Sequence, residues 1–318
     1  MIRKLATAAA AAATAMLLAV SAGAAHADKY AGVGSDTTQD VMKALTNQYK
    51  LTHPAHSWTS INAGATSGSI PAAGSCPGVT FSAGTPAPNG SSAGINALLA
   101  DTNGCIDYAR SSRALKPAEA ASLTAVRLGG DAVSWSAVPS SAGGKAPAAH
   151  NLTLAQLRGI YNCTYTNWNQ VGGTSGTIVR YVPQSGSGTR DFFFTTVLGF
   201  DPTVLGGSNL CATQPKVVQE NKGTAVTALD KNNAILPYSK AAWTAQSNSA
   251  VTGVADARNG FVLGNIDGTA PGSTSPAFIG NRDVYNVYKT AGAPTDLVDF
   301  LTWAAAQNSI KATYGFTA

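Results

Sequence analysis

The stretch VPQSGSGTRDFFF, residues 182–194, sets four small residues, Ser185 to Gly188, ahead of a threonine, an arginine, an acid and three phenylalanines. Residues 178–182 read as a buried strand leading in, and the phenylalanines read as the anchor of a helix leading out. The first turn of a helix leaves backbone N–H groups without internal partners. It also carries about half a positive charge from aligned peptide dipoles. Glycines let an anion approach that backbone closely, and hydroxyls add donors. The same order of strand, Gly/Ser/Thr loop and helix recurs at residues 35–38 and 90–94. Serine and threonine are also ordinary helix caps, so one such loop says little. Three in one chain point to strand ends gathered around an anion.

Outward from these loops, short apolar runs alternate with helical patterns, the signature of an α/β protein with largely parallel sheets. Residues 30–33 predict a strand, followed by a helix whose apolar stripe is Val41, Leu45 and Tyr49. Further strands are expected at 58–62, 105–109, 133–138 and 234–237, and helices at 95–100, 154–161, 217–229 and 296–307. Residues 63–89, rich in Gly, Pro, Ser and Ala, interrupt the pattern as a surface excursion pinned by Cys76.

Residues 1–27 have the form of an export signal: Arg3 and Lys4, an apolar run from 6 to 20, then Ala25-His26-Ala27 as a cleavage site. The run is short for a membrane span, and no second run of about 20 residues follows. No cysteine stands at the cleavage point to take a lipid, so the mature chain is expected to be secreted or periplasmic. The formal net charge is +5 and charged residues are 12% of the chain. That balance is too mild, and its Lys and Arg too dispersed, for nucleic acid. Length suits one large or two medium domains. The four cysteines, Cys76, Cys105, Cys163 and Cys211, form no C-x-x-C, which argues against a zinc site. In an oxidising compartment they predict two disulfides. Of three pairings, Cys76–Cys105 with Cys163–Cys211 is preferred, because it keeps each bridge within one lobe.

The three loops with their flanks resemble the substrate-binding proteins of phosphate ABC transporters. Gly186-Ser187-Gly188-Thr189 is similar to the family's G-S-G-T loop. Residues 90–99 followed by Asp107-Tyr108 are similar to its G-S-S/G-x-G and A-L-x-x-G-x-x-D-[FIY] segment. NLTLAQLRGIYNCTYTNWNQVGG, residues 151–173, resembles its second-lobe helix and T-N-W turn, and DLVDFLTWAAAQNSIKATYGF, residues 296–316, its closing helix. The resemblance implies a two-lobed periplasmic-binding-protein type II α/β fold with a ligand cleft between lobes, closing by hinge bending. Lobe one is expected at 28–135 and 240–318, lobe two at 136–239. The implied function is non-catalytic capture of inorganic phosphate by a monomer that serves the membrane permease of an ABC importer, with no cofactor and no metal.

Carried over residue by residue, Ser91 matches the family's lobe-one serine, and Ser187, Gly188 and Thr189 match its lobe-two loop. The first loop departs, with Ser35, Asp36, Thr37 and Thr38 at the turn. The family's arginine falls on Pro183 and its aspartate on Ser112. Arg113 and Arg190 are the candidate sources of positive charge, with surface ion pairing as their alternative role. Asp36 is a candidate acceptor for a phosphate proton, or simply a helix cap. Ser92 completes the ligand set.

Competing readings are weaker. Residues 90–94 satisfy G-x-S-x-G, the nucleophile elbow of hydrolases, but Pro86 and Pro88 oppose the strand that motif requires. His53 and His56 are split by Pro54, which opposes a helical metal pair. The five tryptophans are too scattered for a sugar platform. The serious alternative is a binding-protein fold used as a secreted adhesin or interaction protein, or as a binder of another oxyanion or small ligand.

Overall fold

The computed structural model describes residues 29–318, so the segment read as an export signal lies outside the described residues. Strand β1 (Lys29–Gly34) leads through the first loop into α1 (Gln39–Thr52), which returns to β2 (Ser57–Ser60). Helix α1 buries Val41, Met42, Leu45 and Tyr49. Asp40 in its first turn and Lys50 in its last complement the helix dipole. The excursion carries a small antiparallel hairpin, β3 (Ser69–Ile70) with β4 (Val79–Thr80). The Cys76–Cys105 disulfide ties it down. Helix α2 (Ser91–Ala100), β5 (Tyr108–Ser111) and the short α3 (Pro117–Ala120) precede the long β6 (Leu123–Ala137).

A second group follows: β7 (Asn151–Leu152), α4 (Leu154–Tyr161), β8 (Val179–Pro183), α5 (Gly188–Phe192), β9 (Lys216–Val218) and β10 (Ala234–Ser239). Thr153 opens α4 with a reciprocal cap, accepting from the Gln156 N–H while the Gln156 side chain accepts from the Thr153 N–H. Cys163–Cys211 ties the turn after α4 to the loop that leads into β9. Helix α6 (Lys240–Ser247), β11 (Val262–Leu263), β12 (Asn265–Ile266), β13 (Asn281–Lys289), the helix Thr295–Ala306 and a short last helix, Asn308–Thr313, follow.

The main sheet runs β2-β1-β5-β13-β6-β10-β8-β9, with β11 also on β6. The expected parallel sheet is found only at its flanks. β2, β1 and β5 are parallel, as are β10, β8 and β9. Between them β13 and β6 run antiparallel to their neighbours. The fold is two-lobed, and β6 serves both lobes: residues 123–132 pair with β13, residues 133–136 with β10. Each lobe has its own apolar core. One gathers Tyr49, Trp58, Phe300 and Leu301; the other gathers Trp135, Leu157, Trp168 and Phe193. β11 and β12 pair with β6 and β7, and Ile266 and Phe278 lie in the second core.

Residues 217–229 are not the helix their apolar spacing predicts. The chain leaves β9 after Val218, places Asn221 at φ 53°, and makes only a single 3₁₀ turn at Gly223–Ala225. A left-handed residue interrupts helical hydrogen bonding. Strand β13 escapes the sequence reading for a related reason. Its inward positions alternate as a strand should, but two of them, Arg282 and Asn286, are polar and buried. Among the described residues no helix is long and apolar enough to cross a membrane.

Candidate functional site

In a parallel α/β sheet the carboxyl ends of the strands, at the point where strand order reverses, collect the loops that contact ligands. Here the ends of β1, β5, β8 and β9 deliver Ser35–Thr38, Ser112, Gln184–Thr189 and Gln219–Asn221 to the same side of β6 and β13. The three loops singled out in the sequence meet there.

The second and third loops touch backbone to backbone. Ser92 N–H donates to the Gly186 carbonyl at 3.0 Å. Gly90 sits at φ 103°, and a Cβ on it would lie 2.4 Å from that carbonyl oxygen. A Cβ on Gly188 would strike the Ser91 hydroxyl at 2.3 Å and the Ser112 hydroxyl at 2.5 Å. Both glycines are therefore required by close approach across the lobes. Ser91 Oγ accepts from Ser112 N–H at 2.9 Å and lies 3.1 Å from Ser112 Oγ. Ser187 Oγ caps α5 by accepting from Arg190 N–H.

The first and third loops meet through threonines. Thr37 Oγ1 lies 3.3 Å from Thr189 Oγ1, and both hydroxyls donate to Oε1 of Glu220, Thr37 at 2.7 Å. Arg282 reaches the same point from β13, donating through Nη2 to Thr189 at 2.8 Å and to Thr37 at 3.3 Å. Asp131 of β6 holds this guanidinium, accepting from its Nη2 at 2.8 Å and its Nε at 3.1 Å. The carboxylate of Asp131 also accepts from Ser239 Oγ and Ala241 N–H. Arg282 is thus aimed by a partner that is itself fixed.

Buried polar atoms are almost always paired, because leaving one unpaired costs about 1–3 kcal/mol. Among the described residues this cluster holds several that are unpaired: Ser35 Oγ, Thr38 Oγ1, Glu220 Oε2 and Arg282 Nη1. Two hydroxyls and a guanidinium N–H are donors suited to an oxyanion. Beside them opens a cavity of about 550 Å³, lined by Asp36, Asn62, Ala63, Gln219, Glu220 and Asn221 among others. Asp36 is half-buried at its edge and accepts from Asn221 Nδ2 at 3.0 Å. Burial, then the charge of Glu220, push the Asp36 carboxyl up to about 8. Beneath the first loop Arg110 is fully buried, donating to the carbonyls of Gly32, Ser35 and Ile61 and to Ser60 Oγ.

The two arginines expected from sequence lie elsewhere. Arg113 forms a bidentate pair with Glu119, both contacts at 2.8 Å, and donates to Ser92 Oγ at 3.1 Å. Arg190 donates to the Pro183 carbonyl and stacks over Phe194 at 5.0 Å, beside a separate cavity of about 510 Å³ lined by Ser92, Asn96 and Ser185. Arg282, Glu220, Asp131 and Asn221 were missed. The signals available were weak: a charged residue at an inward strand position, and a Q-E-N run closing a two-valine strand.

Ser92 Oγ accepts from Arg113 Nε, a group that cannot take a proton from it. His150 bonds the Val262 carbonyl at 2.9 Å. His53 stacks on Tyr49, and His56 pairs with Asp296 at 3.3 Å. No group of three or more metal-ligating side chains occurs among the described residues.

Comparison with known proteins gives the fold a setting. A family described as the PBP superfamily domain matches residues 19–308. No curated protein matches the chain. Among solved structures, a putative phosphate ABC transporter substrate-binding protein with bound phosphate from Clostridium perfringens is 22% identical, with TM-score 0.65, covering 91% of this chain and 99% of that one. An ABC-type phosphate transport receptor from Vibrio cholerae is 21% identical, with TM-score 0.58 and the same coverages. The sulfate-bound regulatory domain of an OxyR2 mutant from Vibrio vulnificus is 9% identical, with TM-score 0.50, covering 90% and 96%.

Proposed function

The chain belongs to the PBP superfamily, and from that premise we propose that it captures inorganic phosphate, without catalysis, for the membrane permease of an ABC importer. Lobe one is assigned to 28–135 and 240–318 and lobe two to 136–239, with β11, β12 and Phe278 reaching back onto lobe two. The protein acts as a monomer in the periplasm or outside the cell. The observation that carries the reading is the set of buried, unpaired donors on Ser35, Thr38 and Arg282, gathered at strand ends between the lobes. Ser91, Ser92, Ser187, Gly188 and Thr189 form the adjoining wall, and Thr37 with Asp36 the edge. Arg113 and Arg190 support the flanking loops.

Micromolar affinity needs about −8 kcal/mol. Hydrogen bonds involving a charged group contribute roughly 1.5–3 kcal/mol each. A handful of such donors suffices after the costs of association.

Calorimetry of the mature chain with phosphate, sulfate, molybdate and tungstate tests this. Saturable phosphate binding is expected, and it disappears in Ser187→Ala combined with Thr189→Ala. A folded protein that takes up no phosphate would sink the reading. A second reading, a receptor for another oxyanion or a small uncharged ligand, draws on the local charge balance. Asp36, Asp40, Asp131 and Glu220 outnumber Arg110 and Arg282 around the cluster.

A further inference from the structure

Asn89 ends the 63–89 excursion, one residue before Gly90, the N-cap of α2, and its half-buried side chain crosses to the other lobe. Its Nδ2 donates to Gln219 Oε1 at 2.9 Å, and its Oδ1 accepts from Gln219 Nε2 at 3.1 Å. The same Oδ1 accepts from Gln184 Nε2 at 3.0 Å. A carboxamide oxygen has two lone pairs, so this acceptor is filled by two glutamines, one just past β8 and one just past β9. Partners 95 and 130 positions away in the chain are thereby joined through a single side chain.

Both sides of the contact are fixed from behind. The Asn89 backbone bridges to Gly34 at the end of β1, and the Ala87 N–H donates to the Ala65 carbonyl at 2.9 Å. The excursion thus has a task, which is to carry Asn89 to the lobe boundary. Across that boundary Gln184 Oε1 accepts from Glu220 N–H at 2.7 Å. Groups held in place beforehand lose less freedom when they bond.

We propose that Asn89 is a positioning residue for anion capture: with Gln219 and Gln184 it latches the two lobes together and sets how long an anion stays, not which anion is taken. This goes beyond the phosphate reading, because the latch uses none of the unpaired donors on Ser35, Thr38 and Arg282. Its free energy favours the closed arrangement whether or not an anion is held. Ser92 N–H on the Gly186 carbonyl and Asn221 Nδ2 on Asp36 tie neighbouring parts of the same loops.

The latch has a kinetic signature. An anion enters and leaves through the open arrangement. A contact that stabilises the closed arrangement in both free and loaded protein slows association as well as release. A contact made to the anion itself slows release and leaves association as it was.

The test pairs small-angle X-ray scattering of phosphate-free protein with stopped-flow kinetics of inorganic phosphate, on the mature wild type and on Asn89→Ala. The free variant should have the larger radius of gyration, and saturating phosphate should remove the difference. Loss of the latch should speed phosphate release about tenfold, near 1.4 kcal/mol. Association should quicken too, so that Kd rises by less than the release rate does. Adding Gln219→Ala to Asn89→Ala should speed release no further, because both remove the same reciprocal pair. Gln219→Ala alone breaks that pair from the other lobe and decides the case, in the same direction, if Asn89→Ala fails to fold. Equal radii of the free proteins, or unaltered release, overturn the latch, as does faster release with unchanged association. A further gain in release from the double variant overturns the pairing with Gln219. Failure of the wild type to bind phosphate removes the phosphate reading, and the radii of the free proteins then decide the latch on their own.

Discussion

Two clusters in this molecule are equally sealed from water and are built on opposite rules. Around Trp58, the rings of Tyr30, Phe300 and Tyr49 pack at centroid distances of 4.4, 4.7 and 5.0 Å. At the strand ends, Thr37, Thr189, Glu220 and Arg282 are as deeply buried, yet leave donors and an acceptor without partners. The aromatic cluster gains stability from area removed from water and from ring geometry. The polar cluster gives stability up, because each unpaired buried group costs free energy. A fold keeps such a cost where another molecule repays it.

The contrast can be broken by substitution. Phe300→Ala should cost about 3–5 kcal/mol of unfolding free energy, read as a lowered denaturant midpoint. Phosphate affinity of the remaining folded protein should stay within about twofold. A collapse of affinity would show that the two regions are not separable.

Arg282→Met sharpens the other side. Loss of its donors should weaken phosphate binding about a hundredfold, near 2.8 kcal/mol. It also leaves Asp131 buried without its cation, so the unfolding free energy should fall by about 3 kcal/mol. Unchanged affinity in this variant would place the ligand elsewhere.

The smallest effect concerns Asp36. Its folded-state carboxyl is raised, to about 8 from 3.8, chiefly by burial. The native state therefore holds a proton that the unfolded chain releases between those values. The stability that this group contributes is fullest below about pH 4 and declines as pH rises toward 8. Because the group is half-buried, the decline is discounted to about 1 kcal/mol. Asp36→Asn should remove this component from a plot of melting temperature against pH, and an unaltered slope would refute it.

Much of the frame was legible in the chain. The helix predicted at 154–161 stands at Leu154–Tyr161, and both disulfides pair in sequence order. Residues 35–38, 90–94 and 185–189 do meet, as their shared pattern implied. Such features are local: apolar period, capping chemistry and turn residues act over a few positions. The polar cluster was less legible. Arg282 and Asp131 are 151 positions apart and Thr37 and Glu220 are 183 apart, and nothing in either neighbourhood announces the other. Arg113 looked available until Glu119 was seen to hold it.

By itself, then, the sequence determined an α/β chain whose strands end in anion-suited loops, because backbone geometry and side-chain period are short-range properties. Which charges stand at the meeting of those loops was decided only in three dimensions. The ends of β1, β8 and β9, the middle of β6 and the start of β13 become neighbours through sheet order alone. Burial then sets which of their polar atoms find partners and which are left for a ligand.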